Sequence, residues 1–365
     1  MFTQEGTKPI TGEQRAFMTG NEVVAWAALA AGANIMYGYP ITPQNEIMHY
    51  WTRLAPKYGR GFLQTEDEIS AGFTTAGGVL AGKRAFTATA GPGNVLMQEA
   101  MSMAEMMRLP TVVIVTQRGG PSTATVIYSQ QELNLTCFGG NGEGLRIVYS
   151  TSSHEDLFHY TIKAFHTAWK YRFPTFVLGD GYQSKMREPV TIYDPEARGI
   201  TMAGCQPMLG LPGLPGVDRE PAHLRNTFNL EDELYDRLAA SIKDYQAMAP
   251  EVTEWDTYAI DDAELLIIAH GVVSRAARAA VAALRKAGVK AGYFRPITLR
   301  PFPEDALQPL AAGVQRILVV ESAHGQLERQ VRASLYGLAT PISSYLRPGM
   351  GITPEEILRI AQHEG

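Results

Sequence analysis

The stretch Tyr37-Gly38-Tyr39-Pro40-Ile41-Thr42-Pro43 predicts a strand that turns abruptly into a helix. The apolar run at residues 35–39 is typical of a buried strand, and Pro40 ends it. Thr42 suits the N-cap of the following helix, and Pro43 suits its first helical position. Such a junction presents a hydroxyl and free backbone N–H groups at the carboxyl edge of a sheet, where open α/β sheets bind ligands. A well-capped helix without a ligand explains the same residues equally well.

Strand and helix signals alternate on both sides of this stretch. Thr19 and Glu22 form a capping pair that opens a predicted helix at residues 19–32. Strands separated by helices indicate parallel β-α-β units. The further buried strands are predicted at residues 84–90, 111–116 and 174–178, and the further helices at residues 95–107 and 154–170.

The 365 residues divide into three parts by sequence texture. Residues 11–198 form a predicted first α/β domain. Residues 199–258 form a connector, with a loop rich in Gly and Pro at 209–216 and an amphipathic helix at 231–248. Residues 259–365 form a second α/β domain, so the predicted fold class is α/β with two open, mostly parallel sheets. The second domain has predicted strands at 265–269, 293–295 and 317–320 and predicted helices at 272–286 and 326–336.

Composition excludes several classes of function. Hydrophobic residues make up 45% of the chain and charged residues 19%, which are values of a globular protein. A net charge of −5 argues against binding to nucleic acid or to an anionic membrane. The polar N-terminal residues indicate no signal peptide, and no apolar run is long enough to span a bilayer, so we expect a cytoplasmic protein. The distant Cys137 and Cys205, and histidines without ligand spacing, predict no disulfide, metal site or iron–sulfur cluster in this chain.

Four further segments accompany the first one in a fixed order. They are Gln64-Thr65-Glu66-Asp67-Glu68, Thr87-Ala88-Thr89-Ala90-Gly91-Pro92-Gly93-Asn94, Thr116-Gln117-Arg118-Gly119-Gly120-Pro121-Ser122 and Arg295-Pro296-Ile297-Thr298-Leu299-Arg300-Pro301-Phe302-Pro303. Together the five segments resemble the α subunit of the 2-oxoacid:ferredoxin (acceptor) oxidoreductases. The resemblance runs from about residue 11 to the C-terminus, with a gap in the middle. It implies a thiamine-diphosphate pyrimidine-binding domain followed by a domain like the C-terminal domain of transketolase.

The resemblance also implies a reaction and its partners. Such enzymes oxidatively decarboxylate a 2-oxoacid to an acyl-CoA and CO₂, with coenzyme A as cosubstrate. Thiamine diphosphate would be shared with a diphosphate-binding β subunit, and Mg²⁺ and 4Fe–4S clusters would belong to partner subunits, including γ and iron–sulfur subunits. Electrons would leave through these partners to ferredoxin or another acceptor.

One short segment mimics the start of the magnesium motif of such enzymes. Gly179-Asp180-Gly181 lacks the downstream Asn pair of that motif, and Lys185 and Arg187 would oppose a dication. We therefore predict a turn after a strand here and no metal site in this chain.

Glu68 is the predicted catalytic residue. A carboxyl group against the pyrimidine nitrogen promotes the reactive tautomer of the cofactor by sharing a proton, and burial raises its pKa toward the working range. The family glutamate lies fourteen residues before a glycine, and Gly82 stands at that distance from Glu68. Glu66 is the second choice. An acidic residue at a helix N-terminus, without catalysis, is the alternative interpretation.

The other predicted site residues follow the same resemblance. Arg118 ends a buried strand beside a glycine-rich loop, which suits bidentate binding of the substrate carboxylate, although a surface arginine at a turn fits the pattern too. Thr42 would lie near the carboxylate or the keto group. The remaining predicted residues are Tyr39 and Asn141 for the substrate, and Pro40, Ile41, Gly91, Pro92 and Gly93 for the cofactor, with Gly91 and Gly93 permitting close backbone approach.

The substrate prediction depends on residues 136–141, which are neutral. Relatives that act on 2-oxoglutarate often carry a basic residue near Gly140 or Asn141, and a buried second carboxylate needs such a partner. We therefore favour an apolar or aromatic 2-oxoacid such as phenylglyoxylate, with 2-oxoglutarate close behind. Two other hypotheses stay open: a non-redox, transketolase-like thiamine enzyme, and a noncatalytic assembly subunit in which Glu68 only caps a helix.

Overall fold

Two open sheets and one separate pair of strands form the fold of this computed structural model, which describes residues 8–209 and 224–363. The strands are β1 (Glu13–Thr19), β2 (Ile35–Gly38), β3 (Gly61–Gln64), β4 (Ala85–Thr89), β5 (Val112–Gln117), β6 (Ile147–Ser150), β7 (Thr175–Asp180), β8 (Arg187–Tyr193), β9 (Trp255–Tyr258), β10 (Leu265–Ile268), β11 (Ala291–Pro296), β12 (Thr298–Arg300), β13 (Arg316–Glu321) and β14 (Ile342–Leu346). The helices are α1 (Gly20–Ala30), α2 (Asn45–Leu54), α3 (Glu68–Leu80), α4 (Pro92–Leu96), α5 (Gln98–Met106), α6 (Leu133–Phe138), α7 (His154–Tyr171), α8 (Gly181–Lys185), α9 (Glu231–Val252), α10 (Val273–Lys286), α11 (Glu304–Gly313), α12 (Gln326–Ser334) and α13 (Pro354–His363).

The first sheet has seven strands within the described residues, in the order β12-β6-β7-β5-β4-β2-β3. Its neighbouring strands are parallel, except that β12 runs antiparallel to β6. Strands β4, β5 and β7 are buried along their whole length, as expected for a parallel sheet with helices on both faces. On β5, Ile114 packs into the cluster that contains helices α1 and α7, whereas Val113 and Val115 face the opposite side.

The second sheet has five strands in the described part of the chain, in the order β14-β13-β10-β11-β9, with β9 antiparallel at one edge. The order of strands along the chain does not follow the division into two sheets. Strand β9 lies in the stretch predicted as a connector, and β12 lies in the predicted second domain but pairs with β6 of the first sheet. The division into residues 11–198, 199–258 and 259–365 stays a prediction.

The two sheets share one hydrophobic cluster. Val113 and Phe176 from the first sheet lie in the same cluster of buried side chains as Leu266, Phe294 and Val319 from the second sheet. Because burial of apolar side chains is the main stabilising contribution to a fold, this shared cluster fixes the sheets against each other.

Most predicted elements exist with shifts of one to three residues at their ends. The helix predicted at residues 19–32 is α1, where Thr19 Oγ1 accepts a hydrogen bond from the Glu22 backbone N–H at 3.3 Å and Gly32 has φ +76°. The predicted loop at residues 209–216, apart from Leu209, lies outside the described residues. No helix in the described ranges is long and apolar enough to cross a bilayer.

Two predictions about segments that follow β4 and β7 are wrong. The helix predicted at residues 95–107 instead begins at Pro92, because proline fits the first helical position. It also divides at Met97 into α4 and α5. Gly179-Asp180-Gly181 is not a turn. It joins β7 directly to α8, and Asp180 Oδ1 caps α8 by accepting from the Gln183 N–H at 3.0 Å. A Cβ on Gly181 would lie 1.3 Å from the Ile127 carbonyl oxygen, so only glycine fits.

Candidate active site

The carboxyl ends of the parallel strands β2, β4 and β5 meet at one edge of the first sheet. Three of the predicted site segments follow β2, β4 and β5, and the segment with Glu68 follows the neighbouring parallel strand β3, so the fold brings these four segments together. One contact joins two of them directly: Arg118 Nη1 donates a hydrogen bond to the Thr42 carbonyl oxygen at 2.8 Å. This edge of the sheet therefore places the segment at residues 37–43 beside Arg118.

Thr42 does not cap a helix, so this prediction is wrong, as is the helical position of Pro43. Helix α2 begins at Asn45 and has Gln44 at its N-cap position. The Gln44 side-chain amide donates to the Tyr39 carbonyl oxygen at 2.9 Å, and the Asn45 N–H donates to the Ile41 carbonyl oxygen at 3.0 Å. These bonds close a turn ahead of the helix. The half-buried Thr42 lies inside this turn, so its hydroxyl is not committed to capping.

Glu68 is the first residue of α3 and is buried, with 5% of its surface exposed. Asp67 takes the N-cap position, where its carboxylate accepts from the Ser70 N–H at 2.7 Å. Burial raises the pKa of Glu68, and the neighbouring Asp67 charge raises it further, while the Glu68 backbone N–H and the Arg118 charge oppose the shift. Glu66 is exposed. Of the two candidates, Glu68 is the desolvated carboxyl group.

The Gly91-Pro92-Gly93 turn approaches both charged side chains closely. A Cβ on Gly93 would lie 2.5 Å from Glu68 Oε1 and 2.3 Å from Thr89 Oγ1. Gly91 has φ +50°, and a Cβ there would lie 2.7 Å from Arg118 Nε. The backbone of this turn therefore contacts the Glu68 carboxyl group at Gly93 and the Arg118 guanidinium group at Gly91, and a Cβ at either position would collide with these side chains.

Arg118 is not a surface arginine, because only 5% of its surface is exposed. Its Nη1 binds the Thr42 carbonyl group, while its Nε is buried without a hydrogen-bond partner among the described residues. A buried guanidinium donor without a partner is costly, because buried polar groups are normally paired. Within the described residues, Nε is therefore an unpaired donor that packs against the backbone of Gly91.

Sequence reasoning missed Glu132, a buried carboxylate in the loop before α6. It accepts hydrogen bonds from the Gly91 N–H at 2.8 Å, the Arg118 N–H at 3.0 Å and the Asn94 side-chain amide at 3.0 Å. The only sequence signal is an acidic residue next to the apolar Leu133. That signal is weak, because acidic residues are common ahead of helices.

Asn141 stands apart from this group. It is exposed, and its N–H donates to Ser102 Oγ of α5 at 3.4 Å. The start of the same segment is closer to the site, because Thr136 Oγ1 accepts from the Asn94 amide at 3.1 Å. The substrate contact of Asn141 stays a prediction. Tyr39, Pro40 and Ile41 lie on the turn before α2, where Tyr39 and Ile41 are half-buried and Pro40 is exposed.

A cavity of about 390 Å³ opens beside Thr42. Its walls are mostly apolar, and the charge of its one lysine is paired, because Lys185 forms an ion pair with Glu46. The residues that line it with Thr42 are Val126, Ile127, Gly181, Tyr182, Lys185 and Met186.

Exposed apolar side chains surround the helix starts next to Glu68. Ile69 and Phe73 belong to α3, and Val95 and Leu96 belong to α4, which packs against α3. Val95 is 58% exposed. Within the described residues, no group of three or more His, Cys, Asp or Glu side chains could hold a metal ion.

Comparison with known proteins identifies the family. Residues 26–208 match the thiamine-diphosphate-binding domain of pyruvate flavodoxin/ferredoxin oxidoreductases, and residues 263–357 match core domain II of pyruvate:ferredoxin oxidoreductase. The chain belongs to the thiamine-diphosphate-dependent 2-oxoacid:ferredoxin oxidoreductases, as a subunit of the α type. The resemblance found in the sequence and the predicted α/β fold class are confirmed.

Relatives within the family differ in substrate. Ketoisovalerate oxidoreductase subunit VorB of Methanothermobacter thermautotrophicus is 33% identical over 86% of this chain and 88% of its own length. The 2-oxoglutarate synthase subunit KorA of the same organism is 34% identical over 94% of this chain and 97% of its own length. Neither name supports an aromatic substrate.

Two solved structures resemble the fold. One is 2-oxoglutarate:ferredoxin oxidoreductase from Magnetococcus marinus with 2-oxoglutarate, coenzyme A and succinyl-CoA bound, with a TM-score of 0.85 and 28% identity. This chain aligns over 96% of its length and spans 65% of that protein's chain. A split-gene transketolase, with a TM-score of 0.59 and 14% identity over 94% of this chain and 96% of its own, shares the fold alone.

Proposed function

We propose that this chain supplies the pyrimidine side of a thiamine-diphosphate site in an enzyme that oxidatively decarboxylates a 2-oxoacid to an acyl-CoA and CO₂. The observation that carries this proposal is the buried Glu68 carboxyl group, whose Oε1 faces the backbone of Gly93 so closely that a Cβ would not fit. A desolvated carboxyl group beside a stretch of backbone that carries no side chain fits an aminopyrimidine ring, which needs a proton-sharing partner and a flat surface.

Thiamine diphosphate, when bound, supplies the electron sink for the carbon that loses CO₂. In our proposal Glu68 holds a proton at its carboxyl oxygen and shares it with the ring nitrogen, a role that its raised pKa favours. The backbone of residues 91–93 and the turn with Pro40 and Ile41 would contact the cofactor.

The substrate end of the proposed site is formed by Arg118, Thr42 and Tyr39. Arg118 would bind the 2-oxoacid carboxylate through the guanidinium edge that the Thr42 carbonyl group leaves free. The Thr42 hydroxyl, which caps no helix, would donate to the carboxylate or keto oxygen. These contacts would hold the keto carbon in place and keep the carboxylate away from water.

Partner subunits would complete the enzyme. We propose that a β subunit binds the diphosphate and Mg²⁺ and covers the exposed face formed by Ile69, Phe73, Val95 and Leu96. An apolar patch of this kind next to a functional carboxyl group is typical of a protein interface. Iron–sulfur clusters would lie on further subunits, including a γ subunit, and would pass electrons to ferredoxin or another acceptor. A cytoplasmic location is part of the same proposal.

We further propose a 2-oxoacid with an apolar tail, either branched or aryl, and place 2-oxoglutarate second. The apolar cavity beside Thr42 supports this order, because its one cation, Lys185, is paired with Glu46. A free second carboxylate would need a charged partner there. The relative named for ketoisovalerate agrees with an apolar tail, and those named for 2-oxoglutarate keep the alternative open.

Purification of the complex from its native source tests the proposal. We expect cluster absorbance, co-purifying subunits and 2-oxoacid- and CoA-dependent reduction of an acceptor to appear together. Ketol transfer without clusters would instead support a transketolase-like enzyme. An assembled complex whose activity survives loss of both Glu68 and Arg118 would support a noncatalytic role for this chain. Specificity constants for phenylglyoxylate, ketoisovalerate and 2-oxoglutarate then decide the substrate.

A further inference from the structure

We infer that Glu132 is a positioning residue that ties the Arg118 loop to the glycine turn at residues 91–94. This inference rests on the proposed function, because it concerns the two segments assigned to substrate and cofactor. The Glu132 carboxylate contacts the backbone of both segments and the side chain of Asn94.

The contacts of Glu132 reach both segments at once. Its Oε1 accepts from the N–H of Gly91 at 2.8 Å and from the N–H of Arg118 at 3.0 Å, so one oxygen atom joins the two loops. Its Oε2 accepts from the Asn94 amide at 3.0 Å. Gly91 and Arg118 are 27 positions apart in the sequence, and this carboxylate holds their backbones together.

The ionised form of Glu132 suits this place. Each of these neighbours presents a hydrogen-bond donor, and a carboxylate acts only as an acceptor. In a protonated carboxyl group, the O–H donor would face another donor and one hydrogen bond would be lost. Burial raises the pKa of Glu132, and the hydrogen bonds from Asn94, Arg118 and Gly91 and the Arg118 charge oppose that rise without cancelling it.

The surroundings of Glu132 restrict its movement. The side chain of Gln131 accepts from the Gly120 N–H at 3.1 Å, which fixes the Arg118 loop a second time. The side chain of Gln130 donates to the His270 carbonyl oxygen at 2.7 Å and accepts from the Ser322 N–H at 2.8 Å. The loop that carries Glu132 is therefore bound to the second sheet, so the position of this carboxylate is set by both halves of the fold.

Asn94 cannot adapt to a neutral partner at position 132 without loss. Its Nδ2 also donates to Thr136 Oγ1 at 3.1 Å, and its Oδ1 accepts from the Gln98 amide at 2.9 Å. In Glu132→Gln the new amide would face the Asn94 amide, donor against donor. A flip of Asn94 would relieve that clash but break the bond to Gln98.

The first test measures kinetics on the assembled complex with the Glu132→Gln variant. We expect KM for the 2-oxoacid to rise about tenfold or more, as for a lost charge-assisted hydrogen bond, with a smaller change in kcat. In the Arg118→Lys background the same change should have a much smaller effect, because both residues act on one contact. Additive losses in the double variant would overturn the inference.

Asp156→Asn is the matched control. Asp156 also accepts from a backbone N–H, that of Ser152 at 2.9 Å, and pairs with a buried arginine, Arg295, at 2.6 Å, but it touches neither the Arg118 loop nor the glycine turn. The Asp156→Asn variant should lower the thermal stability of the protein without raising KM for the 2-oxoacid. An equal rise in KM in this control would show that Glu132 acts only through general stability.

The second test measures amide hydrogen exchange in the full-length chain and needs no turnover. Peptides that contain the Gly91 and Arg118 amides should exchange about tenfold faster in Glu132→Gln and unchanged in Asp156→Asn. Unchanged exchange in Glu132→Gln would refute the positioning role. If Glu132→Gln does not fold, Glu132→Asp, which keeps the charge but is one methylene shorter, should show the same pattern to a smaller extent. A wild-type complex that oxidises no 2-oxoacid would refute the proposed function. The exchange data would still test whether Glu132 positions the two segments.

Discussion

Replacement of Glu68 by glutamine tests the proposed proton-sharing role most directly. Glu68 is buried at the start of α3, and burial raises its pKa, so the protonated form is accessible nearer neutral pH than for an exposed glutamate. Glutamine keeps the length and shape of the side chain, so the packing against Gly93 should persist. What the variant loses is the proton that the carboxyl group can give and take back.

The size of the effect follows from what is lost. A positioned general acid–base group contributes about 10²–10⁴-fold in rate, or about 3–5 kcal/mol of barrier. Removal of a buried ionisable group should leave stability near or above that of the wild type, because its burial disfavours the charged form. Glu68→Gln should therefore reduce kcat by at least about a hundredfold with intact assembly, since the change removes proton transfer and not a packing contact.

The assay is 2-oxoacid-dependent reduction of an artificial acceptor by the complex, with size-exclusion chromatography to follow assembly. Glu66→Gln is the matched control, because Glu66 lies two residues away in the same segment but is exposed. It should retain near-normal rates. Near-normal turnover in Glu68→Gln together with a large loss in Glu66→Gln would show that the register was assigned incorrectly.

Three further predictions concern the substrate end and the neighbouring strand. Arg118→Lys should lower kcat/KM by about tenfold or more for every 2-oxoacid alike, because lysine loses the planar fork; a change in the ratio between substrates would contradict this. Ile127→Lys adds a cation to the cavity beside Thr42 and should shift the kcat/KM ratio toward 2-oxoglutarate over ketoisovalerate; an unchanged ratio would exclude this cavity as the tail site. Burial raises the pKa of Asp180 to about 7 from 3.8, so the folded state retains a proton that the unfolded state releases, and stability from this group falls as pH rises from about 4 to 7. Asp180→Asn should flatten that dependence and stabilise the protein by up to about 4 kcal/mol at pH 8, measured by denaturant unfolding across pH; an unchanged pH profile would contradict the shift.

The sequence alone determined the class of fold, and it marked the segments that carry the predicted site. Continuous apolar strands separated by helices are typical of parallel β-α-β units, so the apolar runs of β5 and β7 indicated this class of fold. The site segments were also readable, because they follow such strands and contain the glycines and prolines that a sharp turn requires. Burial of Glu68 rather than Glu66 agrees with the predicted register.

Only the tertiary structure decided how these segments are held together. Strand β12 joins the first sheet from far along the chain, Thr42 lies in a turn closed by Gln44 and Tyr39, and Glu132 joins Gly91 to Arg118. Periodicity and capping preferences do not specify side-chain hydrogen bonds or the pairing of an edge strand, whether the partner is close in sequence, as for Gln44 and Tyr39, or far along the chain. A glutamate before an apolar residue has the same local pattern whether it faces solvent or two buried backbone N–H groups. The fold decides whether such a glutamate is buried and which groups form hydrogen bonds with it.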